Sequence, residues 1–536
     1  MNDQAPPRRP TTSPIIRGRT ATRRAVLKGA AALGIAGATG RRWDPRAGAS
    51  AAGGMVQGTP GGTLTAAITG QPDNMDPATN VGYASVQIFG NVFSKLVDVN
   101  ERGEIVPQLA TAWTQVDGAS WEFDLVDNAV FHNGEPFTAR DVKYTFDRIN
   151  DPATASSFAP LFAPVTSVEV VADHKVRFNL DQPYGPLLSS LAARGQIVNQ
   201  KAVEETDPKR TPIGTGPFKF VEWVPDDHVT LERWDRYFRP DRPYLDRLVF
   251  RGLPVDQTRL AALEADEVQW VDAIPLNLIE QVTSSPDLGF LTSTNAGLPD
   301  YLALNTTKPP FDNAKLRQAV AWAIDRNAIL QLAYSNVGEV ANEAVPSGSP
   351  WYTGVDPYGA GPDQDRARQL VAESGFDPTT TIELLSLPQY PELQRTAEVV
   401  KDQLEQIGLK VDLKQVEVTI WLDQFINKDY QITTAYQQGI LDPDDFYYLT
   451  LHGGEPRNFT GYANPRADAA LEQARFSDDP ARRKELYAEA LTVILDDAPV
   501  IFTHYELVNY AFHPSVNGVA ILPSMDLRFE DVWREP

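Results

Sequence analysis

The stretch Tyr301–Leu330, YLALNTTKPPFDNAKLRQAVAWAIDRNAIL, is the one from which the fold is best interpreted. Its first four residues form an apolar run that predicts a β-strand. Pro309-Pro310 then interrupts the chain, because proline cannot donate to a ladder and blocks a preceding helix. Asp312 stands where a helix N-cap is expected. The apolar residues that follow recur with the spacing of one helical face, namely Leu316, Ala319, Val320, Ala323 and Ile324.

The polar step at the end of this strand suggests a crossing between two lobes. Asn305 lies between the apolar strand and the Pro-Pro pair. We therefore expect the chain to pass between lobes here, with the Asn305 side chain facing the cleft. The charged residues of the following helix are expected to lie mostly off its buried face, and they are Lys315, Arg317, Asp325 and Arg326.

Composition limits the classes of protein that this chain can belong to. A chain of 536 residues is too long for one core, so two or three domains are expected. The formal charge is −23, and it becomes −31 without residues 1–51, which carry ten basic and two acidic side chains. The strong negative charge of the chain after residue 51 excludes nucleic acid as a partner. The lack of cysteine excludes disulfides, thiolate catalysis and cysteine zinc sites.

The first 51 residues resemble a twin-arginine export leader. Arg23-Arg24 precedes Leu27-Lys28 and the small apolar stretch Gly29–Gly40, and A-x-A cleavage sites follow within Ala47–Ala51. The apolar part is about 12 residues, too short to cross a bilayer as a helix. We therefore predict export by the twin-arginine route to the periplasm or cell exterior. No later segment has about 18 uninterrupted apolar residues, so the mature protein is predicted not to span a membrane.

The rest of the chain predicts an α/β protein. Gly61–Ile68 predicts the first strand and Tyr83–Val99 a helix. Asn133-Gly134 indicates a hairpin turn, and Thr138 with Asp141 has the form of a capping box before a helix. Further on, a strand at Thr381–Leu387, a helix at Pro391–Ile407 and an alternating run at Leu409–Leu413 predict a parallel βαβ unit.

Several blocks together resemble family 5 extracellular solute-binding proteins, the dipeptide-, oligopeptide- and nickel-binding components of ABC importers. The main one is Trp121–Ile149, WEFDLVDNAVFHNGEPFTARDVKYTFDRI. The others, in the same order as in the family, are GTGPFKF (Gly214–Phe220), NTTKPPFDNAKLRQAVAWAIDR (Asn305–Arg326), VGEVANEAVP (Val337–Pro346) and LDPDDF (Leu441–Phe446). The resemblance extends from Gly61 to Pro536.

The resemblance implies a two-lobed clam-shell with an extra subdomain in the first lobe. It places lobe I at 61–300, with the inserted subdomain at about 93–200, lobe II at 301–500 and a C-terminal return to lobe I at 501–536. It also implies a monomer that captures a peptide-like or other polar organic solute between the lobes and delivers it to an ABC permease and its ATPase subunits. Neither catalysis nor a cofactor nor a metal is implied.

One position departs from the peptide-binding members of that family. Those members carry an aspartate, three residues before the first aspartate of the LDPDDF-like block, that pairs with the terminal amine of the peptide. The matching position here is Gly439, which has no side chain. A buried ammonium without a counter-charge is costly. Gln437 and Gln438 offer neutral donors and acceptors instead, which suit amides or hydroxyls.

The candidate ligand-binding residues combine aromatic faces with a few polar anchors, as a closed solute pocket requires. They are Tyr83, Asn305, Trp421, Tyr436, Gln437, Gln438 and Gly439. Each also has a structural interpretation: a helix-face aromatic for Tyr83, a strand-end cap for Asn305 and a core indole for Trp421. The carboxylates of Asp442 and Asp444 are interpreted mainly as a solvated turn, and His132 as a structural turn histidine.

Three alternatives remain open from the sequence. An oligosaccharide could replace the peptide-like solute in the same kind of cleft. A secreted glycoside hydrolase would need two carboxylates flanking a sugar, and no pair stands out from the acidic background. A sensor or chaperone-like binding module without a permease would have the same sequence features. No HExxH, Gly-x-Ser-x-Gly or phosphate-loop motif is present.

Overall fold

A computed structural model describes residues 58–80, 82–359, 361–437 and 440–535, with the side chains of 294–296 excepted. The predicted export leader, Gln438 and Gly439 lie outside the described residues. Helices and strands alternate through the described part, as an α/β fold requires. No helix in these ranges is both long and apolar enough to cross a bilayer.

The strands are short except for two. In chain order they are β1 (Thr63–Ile68), β2 (Val97–Val99), β3 (Ile105–Pro107), β4 (Ala110–Asp117), β5 (Ser120–Leu125), β6 (Val165–Ala172), β7 (Lys175–Leu180), β8 (Phe218–Val224), β9 (His228–Arg233), β10 (Arg247–Gly252), β11 (Trp270–Asp272), β12 (Gly289–Leu304), β13 (Glu339–Val340), β14 (Thr381–Ser386), β15 (Lys410–Gln415), β16 (Ile432–Tyr436), β17 (Val500–Phe512), β18 (Val516–Asn517) and β19 (Trp533–Arg534).

The helices lie between these strands. They are α1 (Tyr83–Val92), α2 (Ala139–Asn150), α3 (Ala159–Phe162), α4 (Leu187–Arg194), α5 (Gln200–Glu205), α6 (Asp256–Glu264), α7 (Leu276–Ser284), α8 (Ala314–Ala323), α9 (Arg326–Leu332), α10 (Gln364–Ser374), α11 (Pro391–Gln406), α12 (Val418–Ile426), α13 (Asp444–Leu451), α14 (Pro465–Arg475) and α15 (Pro480–Asp497).

An eleven-stranded sheet runs through both halves of the molecule, in the order β15-β14-β16-β12-β17-β11-β1-β10-β9-β8, with β13 beside β17. At one end β14 is parallel to β15 and β16. On the other side β1 is parallel to β10 and β11. The long strands β12 and β17 are antiparallel to each other and lie between these two parallel groups. They are therefore the strands that connect the two lobes.

The crossing occurs earlier in the chain than predicted. β12 pairs with β17 over Gly289–Thr292 and again over Gly297–Ala303, with a register shift between Thr292 and Gly297. Only its last part, from Asp300, also pairs with β16. The predicted crossing at Asn305 is therefore wrong, because the apolar run at Tyr301–Leu304 is the end of a longer strand that has already crossed.

The helix after the Pro-Pro pair also differs from its prediction. Asn313, not Asp312, caps α8, and its side chain accepts from the Lys315 backbone N–H. Asp325 caps the separate helix α9. Arg317 and Arg326 are buried, contrary to prediction, because their guanidinium groups donate to backbone carbonyls of Phe311, Asp497 and Phe502.

Other local predictions are confirmed, with one exception. Thr138 and Asp141 form a reciprocal capping box at the start of α2. β14, α11 and β15 form the predicted βαβ unit with parallel strands. The helix predicted at Tyr83–Val99 ends at Val92, however, and its last three residues are β2.

Three large apolar clusters accompany the sheet. One is built from residues between Tyr301 and Tyr505 and packs around β14, β16 and their helices. A second lies within 78–238 and includes the separate four-stranded sheet β4-β5-β7-β6. A third combines residues 64–291 with 508–532, so the C-terminal segment packs with the first strands.

Candidate functional site

A cavity lies where β12 and β17 run between the two halves of the sheet. Its volume is about 370 Å³. Residues from both halves line it, including those that follow β1 and begin α1 on one side and those around α11 and β16 on the other. The lining residues are Thr69, Tyr83, Ala273, Leu298, Asp300, Tyr334, Tyr390, Glu392, Leu393, Tyr436, Glu506, Leu507, Val508, Asn509 and Met525.

Tyrosine rings form much of the wall. The Tyr390 and Tyr436 rings lie 5.6 Å apart between centroids, and their hydroxyls approach to 3.5 Å. Tyr334 stacks on His504 at 3.5 Å between centroids. Burial, together with nearby carboxylates that include Glu506, raises the pKa of Tyr83, Tyr334 and Tyr436. These hydroxyls are therefore neutral donors throughout the physiological range of pH.

Three carboxylates line the same cavity, and two of them already have partners. The Asp300 Oδ2 atom accepts from the Tyr334 hydroxyl at 2.7 Å and lies 3.3 Å from His504 Nδ1. The other ring nitrogen of His504 lies 2.8 Å from the Val337 carbonyl oxygen. Glu392 forms an ion pair with Arg395 at 2.9 Å.

Glu506 is the third carboxylate, and it differs from the other two. No described residue forms a hydrogen bond or an ion pair with it. Its side chain is exposed to the water of the cavity, although protein surrounds the cavity on its other sides. Desolvation by this surrounding protein, followed by the charges of Asp300 and Glu392, raises the pKa of Glu506 to about 8. The described residues of the lining include no lysine, arginine or histidine.

A second, smaller cavity of about 150 Å³ lies beside the first. Trp421, Tyr436 and Gln437 line it together with apolar residues of α12 and α13, and Tyr436 lines both cavities. The indole N–H of Trp421 donates to Thr433 Oγ1 at 2.8 Å, and its ring stacks on Phe425. The indole is thus held by the core, with one side towards the second cavity.

The structure brings together most of the predicted site residues that it describes. Tyr83 and Tyr436 meet in the larger cavity, and Trp421, Tyr436 and Gln437 in the smaller one. Asn305 is the exception. It is fully buried, and its amide donates to the backbone carbonyls of Lys428 and Tyr430. The prediction that Asn305 faces the cleft is wrong, because every polar atom of its side chain is used to fix the end of β12.

The acidic turn and the histidine of the sequence motifs are structural. Asp442 is fully buried and accepts two hydrogen bonds from Arg483 at 2.6 and 2.9 Å, so the solvated turn that the sequence suggested is wrong. Asp444 is likewise buried and paired with Arg475. His132 is buried beside Gly214 and Gly216, as its interpretation as a turn histidine predicts.

Sequence reasoning missed the carboxylates of the cavity. Glu506 could have been noticed, because it is the one acidic residue in β17, VIFTHYELVNYAF, an otherwise largely apolar strand. Asp300 has a similar signal, because it is the one charged residue in the apolar run from Leu298 to Leu304, whereas Glu392 lies among polar neighbours and has none. In the described ranges no group of three or more histidine, aspartate or glutamate side chains could hold a metal ion. The arrangement suits the binding of a small organic solute by hydrogen bonds, charge and aromatic contact.

Comparisons with known proteins agree with this geometry. The family model "Bacterial extracellular solute-binding proteins, family 5 Middle" matches residues 104–458. The glutathione-binding protein GsiB of Pectobacterium atrosepticum is 26% identical over 518 residues, which cover 92% of this chain and 98% of GsiB.

Two solved structures share the fold. The A. tumefaciens R10 protein AgaA in complex with agropinic acid has a TM-score of 0.76 and is 26% identical, and the match covers 89% of this chain and 99% of AgaA. The Helicobacter pylori protein DppA in complex with the peptide STSA has a TM-score of 0.77 and is also 26% identical. That match covers 89% of this chain and 99% of DppA.

Proposed function

Because this chain belongs to the family 5 bacterial extracellular solute-binding proteins, we propose that it holds its solute in the 370 Å³ cavity between the lobes and delivers it to an ABC permease. The solute is peptide-like or another polar organic molecule. The observation that carries this proposal is the lining of the cavity, which draws residues from both parallel groups of strands and from the two strands that connect them.

Binding at this position couples the solute to the arrangement of the lobes. A ligand that contacts both halves stabilises the arrangement in which both sets of contacts are made. We therefore place lobe I at 61–300, with its inserted subdomain at about 93–200, lobe II at 301–500 and the return at 501–536. The register shift between Thr292 and Gly297 in β12 supports a hinge in the connecting strands.

The remaining features of the proposal follow from the sequence. The protein acts as a monomer in the periplasm or at the cell exterior, after export of the folded chain by the twin-arginine route. It makes and breaks no bond in its solute. The relatives named above are binding proteins, which supports a binding role over glycoside hydrolysis. Their ligands are glutathione, agropinic acid and a peptide, which do not favour an oligosaccharide.

The test is a thermal-shift panel of peptides, sugars and nickel on the purified protein, followed by calorimetry on each solute that responds. A true ligand raises the unfolding midpoint by mass action. A dissociation constant of about 1 μM corresponds to about 8 kcal/mol of binding free energy. Deletion of the gene should abolish uptake of the same solute by cells. Conversion of any solute to product would contradict the binding role, and a response to sugars alone would contradict the peptide-like class.

A further inference from the structure

Glu506 is a carboxylate without a counter-charge in a cavity built to close around a solute. Asp300 has Tyr334 and His504 as partners, and Glu392 has Arg395. Glu506 has no such partner among the described residues, and none of the described lining residues carries a cationic side chain. A charge enclosed by protein and left unpaired is unfavourable, and a cation in the cavity would remove that penalty.

The neighbours of Glu506 favour a cation further. The rings of Tyr83, Tyr334, Tyr390 and Tyr436 line the same cavity. Aromatic faces attract cations through the ring quadrupole, while an anionic group would face Asp300, Glu392 and Glu506 at once. A cation next to Glu506 would thus be attracted both by the carboxylate and by the ring faces.

We infer that the solute carries a cationic group, a primary ammonium or a guanidinium, which forms an ion pair with the Glu506 carboxylate inside the cavity. The inference rests on the proposed function, because it assigns a chemical class to the solute of that same cavity. The acid that would bind the cation lies on β17, in a different part of the sequence from the LDPDDF block.

The first experiment sorts solutes by charge. The wild-type protein is screened by thermal shift against amines and guanidines, neutral amides and sugars, and carboxylates, and affinities of the responding solutes are measured by calorimetry. The same affinities are measured for Glu506→Gln and for the control Glu398→Gln, which changes an exposed glutamate of α11 outside the cavity. Glu506→Gln removes a repelling charge and keeps the shape of the side chain, so its unfolding midpoint should not fall.

We expect the responding solutes to be cations and their affinities to drop at least roughly tenfold in Glu506→Gln, with no drop in Glu398→Gln. The inference is overturned by responses confined to neutral or anionic solutes, or by cations that bind Glu506→Gln as well as wild type. In both of these cases the proposed function survives, since a solute still binds. If no solute of the three classes raises the unfolding midpoint, and native mass spectrometry of the purified protein detects no bound solute, both the inference and the proposed function are overturned.

A second experiment uses pH and a guanidinium solute, which stays charged throughout. A cation pairs with the ionised carboxylate, so affinity should rise as pH increases from 6 to 8, by up to about tenfold per unit, and then level off. This rise should be absent in Glu506→Gln, and its persistence there would contradict the assignment. The other titratable or charged groups around Glu506 are Asp300, Glu392, Arg395, His504, Tyr83, Tyr334, Tyr390 and Tyr436.

Discussion

At the scale of the single residue, His132 joins its own turn to the loop before β8. Its Nε2–H donates to the Gly216 carbonyl oxygen at 3.0 Å, and its Nδ1 accepts from the Gly214 N–H at 3.4 Å. Both bonds need the neutral ring in one tautomer. Burial accordingly lowers the pKa of His132 to about 4. A buried histidine held neutral makes the folded state sensitive to acid.

We predict that acid lowers the free energy of unfolding of His132→Gln less than that of the wild type. Between about pH 6.5 and 4 the unfolded wild type binds a proton at residue 132 and the folded wild type does not. The contribution of His132 is therefore fully present above pH 6.5 and falls by up to about 3 kcal/mol as pH approaches 4. Urea unfolding at several pH values measures the stability difference between wild type and His132→Gln.

That difference should be largest at pH 7 and shrink on acidification. His228→Gln, which changes a histidine on the β8–β9 hairpin, is the matched control. A stability difference that stays constant from pH 7 to 5 would contradict the assigned tautomer and the lowered pKa of His132.

Tyr436 is the residue that both cavities share, so its side chain is expected to matter for any solute. Tyr436→Ala should weaken solute binding by about tenfold or more, because it removes ring contact and joins the two cavities. Tyr436→Phe keeps the ring and should lose less. Calorimetry on the two variants measures both effects, and equal affinities for wild type and Tyr436→Ala would remove this residue from the site.

At the scale of elements, the residues Tyr184–Ser189, which include the first turn of α4, contact α14 and the acidic turn. The Gly185 N–H donates to the Arg475 carbonyl oxygen at 2.9 Å, and the Ser189 hydroxyl donates to Asp442 at 3.2 Å. The Arg475 guanidinium lies over the Tyr184 ring at 5.1 Å. These contacts join the start of α4 to α14 and the acidic turn. With the lobe boundaries proposed above, they lie between the two lobes.

A methyl group at Gly185 should push this contact apart. A Cβ there would lie 2.3 Å from the Ser477 carbonyl oxygen and 2.6 Å from Arg483 Nε, and both atoms belong to the proposed second lobe. We predict that Gly185→Ala favours the open lobes and weakens solute binding about tenfold, which corresponds to about 1.4 kcal/mol. Calorimetry with the identified solute measures the change.

Gly118→Ala is the matched control for this variant. Gly118 belongs to the same subdomain, and the nearest atom to its added Cβ is Pro183 Cγ at an ordinary 3.5 Å. The control should bind the solute as wild type does. The closure role of the segment would be refuted if Gly185→Ala bound normally, or if both glycine variants lost affinity equally.

At the scale of the whole molecule, the connecting strands predict that solute binding brings the lobes together. The chain has no cysteine, so labels can be placed at introduced cysteines alone. Asp173→Cys on the β6–β7 turn and Asp412→Cys on β15 are both exposed and lie in different lobes. We predict that saturating solute raises Förster transfer between these labels, because the bound solute contacts both halves.

The control pair Asp117→Cys with Asp173→Cys lies within one four-stranded sheet and should not respond. Gly185→Ala in the first pair should lower the transfer measured without solute. An unchanged transfer efficiency at saturation would mean that binding does not close the molecule, whatever the solute.

The sequence by itself determined the local elements and the family, because these depend on neighbours in the chain. The capping box of Thr138 and Asp141 and the parallel βαβ unit from Thr381 follow from spacing alone. The aromatic candidates Tyr83, Trp421 and Tyr436 also reach the cavities. Aromatic residues can be identified as candidates from the sequence alone, without knowing which residues they contact in the fold.

Only the tertiary structure decided which polar residues face the cleft. Asn305 and Asp442 are of residue types that often bind ligands. In the structure Asn305 instead donates to backbone carbonyl groups, and Asp442 accepts from an arginine, all distant in sequence. Glu506 stands out in sequence as the one acidic residue of β17, but only the distant segments around it decide that no described residue pairs with it. The physical reason is that hydrogen bonds and charge pairs form between residues hundreds of positions apart, so whether a polar group is satisfied or free is a property of the assembled sheet.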